Sequence, residues 1–135
     1  MSVEEIRAKV RELLLANETL AGLLASEGAI YLESPPIPRE LPCLTYRLDS
    51  LPDAELDRYG KVGLVLTIEA WSRSQSVNDA ILKELDATLF DVRFATASWT
   101  VRFCRRVEAA ETVEGREPSP VRRLRTVWKM RVHRK

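Results

Sequence analysis

His133 is the sole histidine of the chain, and a Ser-His-Asp or Cys-His arrangement needs an imidazole held by rigid surroundings. It lies near the C-terminal end of the sequence, where little structure can surround it, so no catalytic role is assigned to it. The carboxylates of Asp53, Glu55 and Asp57 alternate as in the opening of a calcium loop. Arg58 stands where the sharp turn of such a loop needs glycine, and no glutamate closes it at the twelfth position, so the stretch reads as a solvated loop. Cys43 and Cys104 each sit inside an apolar run with no second Cys or His at zinc spacing. Both are expected to be small core residues in a reducing compartment. No glycine-rich phosphate loop follows any strand-like run. No acid, base, nucleophile or metal set assembles on paper, so the expectation is a protein that is not an enzyme and needs no cofactor or metal.

The chemistry-bearing residues that do cluster are cationic. Arg102, Arg105 and Arg106 share one strand-like run, and Arg122, Arg123, Arg125, Lys129 and Arg131 share the next, followed by Arg134 and Lys135. Residues 1–98 hold 10 Lys+Arg against 16 Asp+Glu, whereas residues 99–135 hold 11 against 4, although the whole chain is at +1. Three uses fit this division: non-specific contact with the phosphates of DNA, ion pairing with the acidic part of a neighbouring copy, or a pair of solvated strand faces. Head-to-tail pairing between copies is the preferred reading.

The elements that must position these residues follow from periodicity. Val3, Ile6, Val10, Leu13 and Leu14 recur at helical spacing, and Ser2 with Glu5 has the spacing of a capping box, so a helix should start at about Val3. "LAGLLAS" is a further short helical turn. "AIYLE" and "CLTYRL" read as strands, and "KVGLVLTIEAW" as the longest and most central one. A second amphipathic helix begins at Ser76, with Val77, Ala80, Ile81, Leu85 and Leu89 as its apolar stripe. Two strands close the chain. Trp99, Val101, Phe103 and Val107 should share one face of the first against Thr100, Arg102, Cys104 and Arg106; Leu124, Thr126, Trp128, Met130 and Val132 should share one face of the second. The basic heads are then expected to gather opposite Trp99, Phe103, Trp128 and Met130.

The fold class expected is α+β, with an antiparallel or mixed sheet of about four to five strands and two main helices packed on one face. With 45% hydrophobic residues in 135, residues 1–135 are read as a single domain. The N-terminal stretch has no basic region followed by an apolar one, and no run reaches the length of a membrane span. The expectation is cytosolic synthesis and no membrane partner.

Between the first two strands lie Pro35, Pro36, Ile37 and Pro38. Proline fixes φ and lacks an N–H, so this connector should run extended, either as a stiff link within one subunit or as a preorganised segment docking on a neighbour. Residues 49–60 and 109–123 are polar and turn-rich, and the second stretch reads as a protruding arm.

The order of these features resembles the tail-terminator, or tail-completion, proteins of long-tailed bacteriophages. The residues that carry the likeness are the first amphipathic helix, "AIYLE" leading into the proline connector, "LPCLTYRL", then "LTIEAWSRSQSVNDAILKELDATL" and the closing strand "RTVWKMRVHRK". The resemblance spans nearly the whole chain. It implies a minor tail protein forming a ring, commonly of six subunits, that caps the tail tube and offers the head-joining surface, assembled in the host cytoplasm and located in the virion tail. The tail tube protein and the head-tail connector protein would be its partners, with non-specific contact to the passing DNA. The long loop at 109–123 and the basic end depart from that pattern and leave room for a related neck role or for a stand-alone basic nucleic-acid-binding module.

Overall fold

The computed structural model describes residues 3–26, 28–34, 40–50, 60–115 and 120–135. Pro35, Pro36, Ile37 and Pro38, and with them the expected extended connector, lie outside the described residues, as do Asp53, Glu55 and Asp57. The elements run α1 (Glu4–Ala16), α2 (Glu18–Leu23), β1 (Ile30–Leu32), β2 (Cys43–Ser50), β3 (Lys61–Ser72), α3 (Gln75–Leu89), β4 (Phe94–Ala95), β5 (Trp99–Glu114) and β6 (Val121–Arg134).

The strands form one six-stranded sheet in the order β1-β2-β3-β6-β5-β4. β1 is parallel to β2 and every other neighbour is antiparallel, so the sheet is mixed and the class is α+β. Six strands replace the four to five expected. The additional one, β4, pairs only Phe94 with Val101 and Ala95 with Thr100, too short a run for alternation to reveal.

The helices start where side chains satisfy free backbone N–H groups, though not always the ones anticipated. Asn17 caps α2 by accepting from the Leu20 N–H at 2.9 Å, while its own amide donates to Thr88 at 2.8 Å, linking α2 to α3. Ser74, not Ser76, caps α3. Val3 precedes α1 without a side-chain cap. Glu5 does not reach back; its carboxylate accepts from Thr96 Oγ1 at 2.9 Å and from the Ser98 N–H at 3.0 Å. These bonds fasten the first turn of α1 to the β4–β5 turn and hold the Glu5 carboxyl below its usual range, the Thr96 bond contributing most.

β3 lies third in the sheet and runs the full length of β6, from Lys61 opposite His133 to Ser72 opposite Arg122. Val62, Leu64, Leu66, Ile68 and Ala70 are buried on one of its faces, level with Val132, Met130, Trp128, Thr126 and Leu124 of β6. Ile6, Val10, Leu14, Ile81, Leu85 and Leu89 complete the same core. One buried polar chain crosses it: the Trp128 indole N–H donates to Thr126 Oγ1 at 3.0 Å, and that hydroxyl donates to the Ile68 carbonyl at 2.8 Å.

β5 departs from simple alternation. Its register against β6 shifts between Val101 and Phe103 and again between Arg106 and Glu108, so Arg102 and Val107 are β-bulge residues. Each shift exchanges the faces of everything that follows. Cys104 therefore stands level with Met130 and Arg106 with Trp128, on the face assigned above to Phe103. Of the stretch 109–123, read above as an arm, β5 continues in register to Glu114 and β6 begins at Val121; Gly115, with φ +88, follows β5, and residues 116–119 lie outside the described residues.

Candidate interaction surface

The eight basic residues singled out above do not form one patch. Register divides them between the two faces and between the two ends of β6. Arg106 and Arg122 lie on the Trp128 face, where Arg106 makes a two-pronged contact with Asp86 of α3, at 2.9 and 3.3 Å. Arg122 approaches Glu111 of β5 at 3.9 Å. Arg123 and Arg125 lie on the opposite face at the same end. The Arg123 guanidinium is 3.3 Å from Glu69 of β3 and 3.3 Å from Glu114 of β5, and 5.4 Å from the centroid of the Trp71 ring. The Glu69 contact is a charge contact without hydrogen-bond alignment. Arg125 pairs with Glu108 at 3.3 Å.

Four of the eight are thus matched by carboxylates of their own chain. The acidic-then-basic distribution that suggested pairing between copies is in large part used within the chain: for three of the four, β6 supplies the cation and β3 or β5 beside it the anion, while Arg106 of β5 meets Asp86 of α3. Any contact these four make with a neighbouring subunit would be made beside carboxylates already in place.

Asn78 joins the same assembly and was not anticipated. It is 1% exposed. Ser72 Oγ donates to its side-chain oxygen at 2.8 Å, and its amide donates to Glu111 and to the Arg122 carbonyl, both at 3.2 Å. One side chain therefore ties the start of α3 to β3, β5 and β6. A signal existed: Asn78 continues the spacing of Ile81, Leu85 and Leu89, and an amide on an apolar stripe needs buried partners.

The other end of the sheet differs. Lys129 and Arg131 stand on the face opposite Trp128, level with Val65 and with Gly63 of β3. Both are exposed, and neither enters an ion pair among the described residues. Arg105 is level with Lys129 on β5, and Lys61 is level with His133 two positions beyond Arg131. Alternate residues on one strand are about 7 Å apart and adjacent strands about 5 Å, so these cations share a small area. Arg102, at the first bulge, is exposed beside them. Carboxylates share the face: Asp49 of β2 lies in the row of Val65 and Lys129, paired with Arg47 at 2.8 Å, and Glu108 of β5 lies one row away, paired with Arg125.

Against known proteins, no family model and no curated protein matches. Solved structures do. A chain described as "Virion of native gene transfer agent (GTA) particle" superposes with a TM-score of 0.69, covering 92% of this chain and 91% of that chain at 20% identity. A second structure, with no role in its name, gives a TM-score of 0.62 at 13% identity and covers 96% of both chains. At these identities the likeness is one of fold. It extends over almost the whole of each chain, so the sheet order and the helices described above are shared rather than a fragment of them.

Neither cysteine is placed for chemistry. Cys43 and Cys104 are both buried and unbridged, and burial, with a smaller contribution from the Asp91 carboxylate, pushes the Cys104 thiol up to about 12. Among the described residues no group of three or more His, Cys, Asp or Glu could hold a metal ion. Among the same residues, no helix is long and apolar enough to cross a membrane.

Proposed function

We propose that the protein is a structural component of a phage or phage-derived virion, and within it a ring-forming tail terminator that caps the tail tube and presents the head-joining surface. The observation that carries the proposal is the end-to-end fold likeness to a chain of a gene transfer agent virion. The order of features named in the sequence supports the finer role. The work is geometric: a contact between unlike surfaces of successive copies closes into a ring, commonly of six, and no catalysis is involved. Because Arg106, Arg122, Arg123 and Arg125 are neutralised within the subunit, the closing contact uses other surfaces than these.

Electron microscopy and light scattering test the proposal. Annular particles, alone or seated on the ends of added tail tubes, are expected; a particle of 15.4 kDa that stays monomeric and leaves tube ends bare would refute it. Rings that bind the head connector and ignore tubes would assign the related neck role.

A specific observation favours one other reading, a basic nucleic-acid-binding module. Lys129 and Arg131 face solvent and enter no ion pair among the described residues, as suits phosphate-neutralising groups. Duplex binding would then weaken steeply with salt, and replacing both by alanine would reduce the slope of log K against log salt by about 1.8. An Arg125→Ala variant would leave that slope nearly unchanged, since its charge is already used by Glu108.

A further inference from the structure

β5 is the longest strand of the sheet at 16 residues, and among the described residues its outer side is paired only near its start. β4 pairs with Thr100 and Val101, and the Asp91 N–H donates to the Cys104 carbonyl at 2.8 Å. From Arg106 to Glu114, no strand among the described residues pairs with that side. A long edge presents a row of backbone donors and acceptors, and proteins ordinarily blunt such edges with lysine, proline, unneutralised charge or a bulge; here the bulge at Val107 stands at the start of the segment, and the ladder from Glu108 to Glu114 is regular. Residues 107–113, with the sequence Val-Glu-Ala-Ala-Glu-Thr-Val, hold no lysine or proline. Both glutamates are met from the β6 side, Glu108 by Arg125 and Glu111 by Arg122. Val107 and Val113 remain 50% and 54% exposed.

The segment is complementary to itself in one antiparallel register. With Ala110 opposite Ala110 of a second copy, Glu108 meets Thr112, Ala109 meets Glu111 and Val113 reaches the second copy's bulge residue Val107, so no like charges face each other. Centring the pair on Glu111 sets that glutamate against itself and Glu108 against Glu114; centring it on Ala109 sets Val107 against Glu111. Registers centred between residues are excluded, because opposite residues of an antiparallel pair share a face and faces alternate along the strand. A local twofold axis perpendicular to the sheet keeps the core on the same side of both copies.

We propose that the free β5 edge at residues 107–113 pairs antiparallel with the same segment of a second copy about a twofold axis at Ala110, joining two six-stranded sheets. The contact is small, below about 1,200 Å² in total, so it is reversible and depends on concentration. It is distinct from the ring contact, which joins unlike surfaces, and does not depend on it.

Cysteine crosslinking reads the register whether the copies are free or in a larger assembly. Directly opposite Cα atoms lie about 4.5–5.5 Å apart, within reach of a disulfide, whereas a diagonal pair at about 7–8 Å is not. On mild oxidation, Ala110→Cys is expected to form a disulfide dimer. Ala109→Cys alone is expected to remain uncrosslinked, but to join Glu111→Cys when the two variants are mixed. The native Cys43 and Cys104 are buried and serve as background in the unsubstituted protein. Equal crosslinking of Ala110→Cys and Ala109→Cys, or none of Ala110→Cys, would overturn the proposal. In sedimentation, Val113→Lys should raise the dissociation constant of the pair by roughly tenfold or more while the circular dichroism stays that of the parent. An unchanged self-association in that variant would count equally against it.

Discussion

Replacing Asn78 should loosen the α3 end of the sheet more than its size suggests. In Asn78→Ala the carboxylate of Glu111 and the carbonyl of Arg122 each lose a donor, while Ser72 Oγ keeps the Ser74 carbonyl as an acceptor at 2.9 Å. A hydrogen bond to a charged acceptor contributes about 1.5–3 kcal/mol and one to a neutral acceptor about 1, so the loss should be about 2–4 kcal/mol. For a domain of this size that is a fall in Tm of roughly 6–15 °C. Asn78→Asp sharpens the test. At neutral pH it sets a second carboxylate 3 Å-class distance from Glu111, in a site where the original side chain is 1% exposed. The folded-state pKa of the new group would be raised above its unfolded value, so its protonated form is favoured on folding. The variant is then at its best below the unfolded pKa and loses stability as pH rises through the folded one. Urea unfolding of the two variants at one dilute protein concentration, at pH 7 and near pH 4, is the assay. Asn78→Asp should be the less stable at pH 7 and should close the gap, or overtake Asn78→Ala, in acid. A Tm for Asn78→Ala within a degree or two of the parent, or a gap between the variants that ignores pH, would refute the reasoning.

Three further outcomes follow from the same contacts. Arg123→Ala leaves Glu69 and Glu114 without their shared cation and uncovers the Trp71 ring, so it should cost about 1–3 kcal/mol in urea unfolding; Arg125→Ala breaks a single exposed pair and should cost less than about 1. The Glu5 carboxyl should titrate below its ordinary value of 4.5 in an NMR pH series. Because its folded-state pKa is depressed, its stabilisation is present above the unfolded value and is lost as pH falls through the folded one, and Glu5→Gln should show a shallower loss of stability over that acid range. Finally, with the Cys104 thiol at about 12 and both cysteines buried, neither should react with a thiol reagent at pH 8 in the folded protein, and both should react in denaturant; rapid modification of the native protein would contradict the burial of these two strands.

Much of the fold was legible because it follows from two periods. The three- and four-residue steps of Ile6, Val10 and Leu14 and of Ile81, Leu85 and Leu89 anticipated the buried stripes of α1 and α3, and alternation along β3 and β6 anticipated which residues enter the core. What was not legible depends on pairing across the chain. The two bulges in β5 leave no mark in composition, yet they carry Arg106 to the Asp86 side of the sheet. A parallel β1 and a two-residue β4 are set by where the chain ends up, not by local preference. The basic cluster itself could be read off; its division could not, because Glu69, Glu108, Glu111 and Glu114 become neighbours of β6 only through register, and Asp86 meets Arg106 only once α3 packs beside β5.

That division narrows what any partner can use. A strand rich in arginine invites an acidic partner, but at one end of β6 the invitation is answered from within the chain by β3 and β5, and Arg106 of β5 is answered by α3. Those pairs confer little net attraction at a distance, since each cation is balanced a few ångströms away. Among the described residues two surfaces stand apart from these pairs: Lys129 and Arg131, which act on any polyanion, and the backbone edge of β5, which acts only on another strand. The first would respond to salt and the second would not, so raising ionic strength separates them within a single preparation. If the protein closes into rings while salt abolishes duplex binding, the cations serve what passes or adjoins the ring rather than its closure.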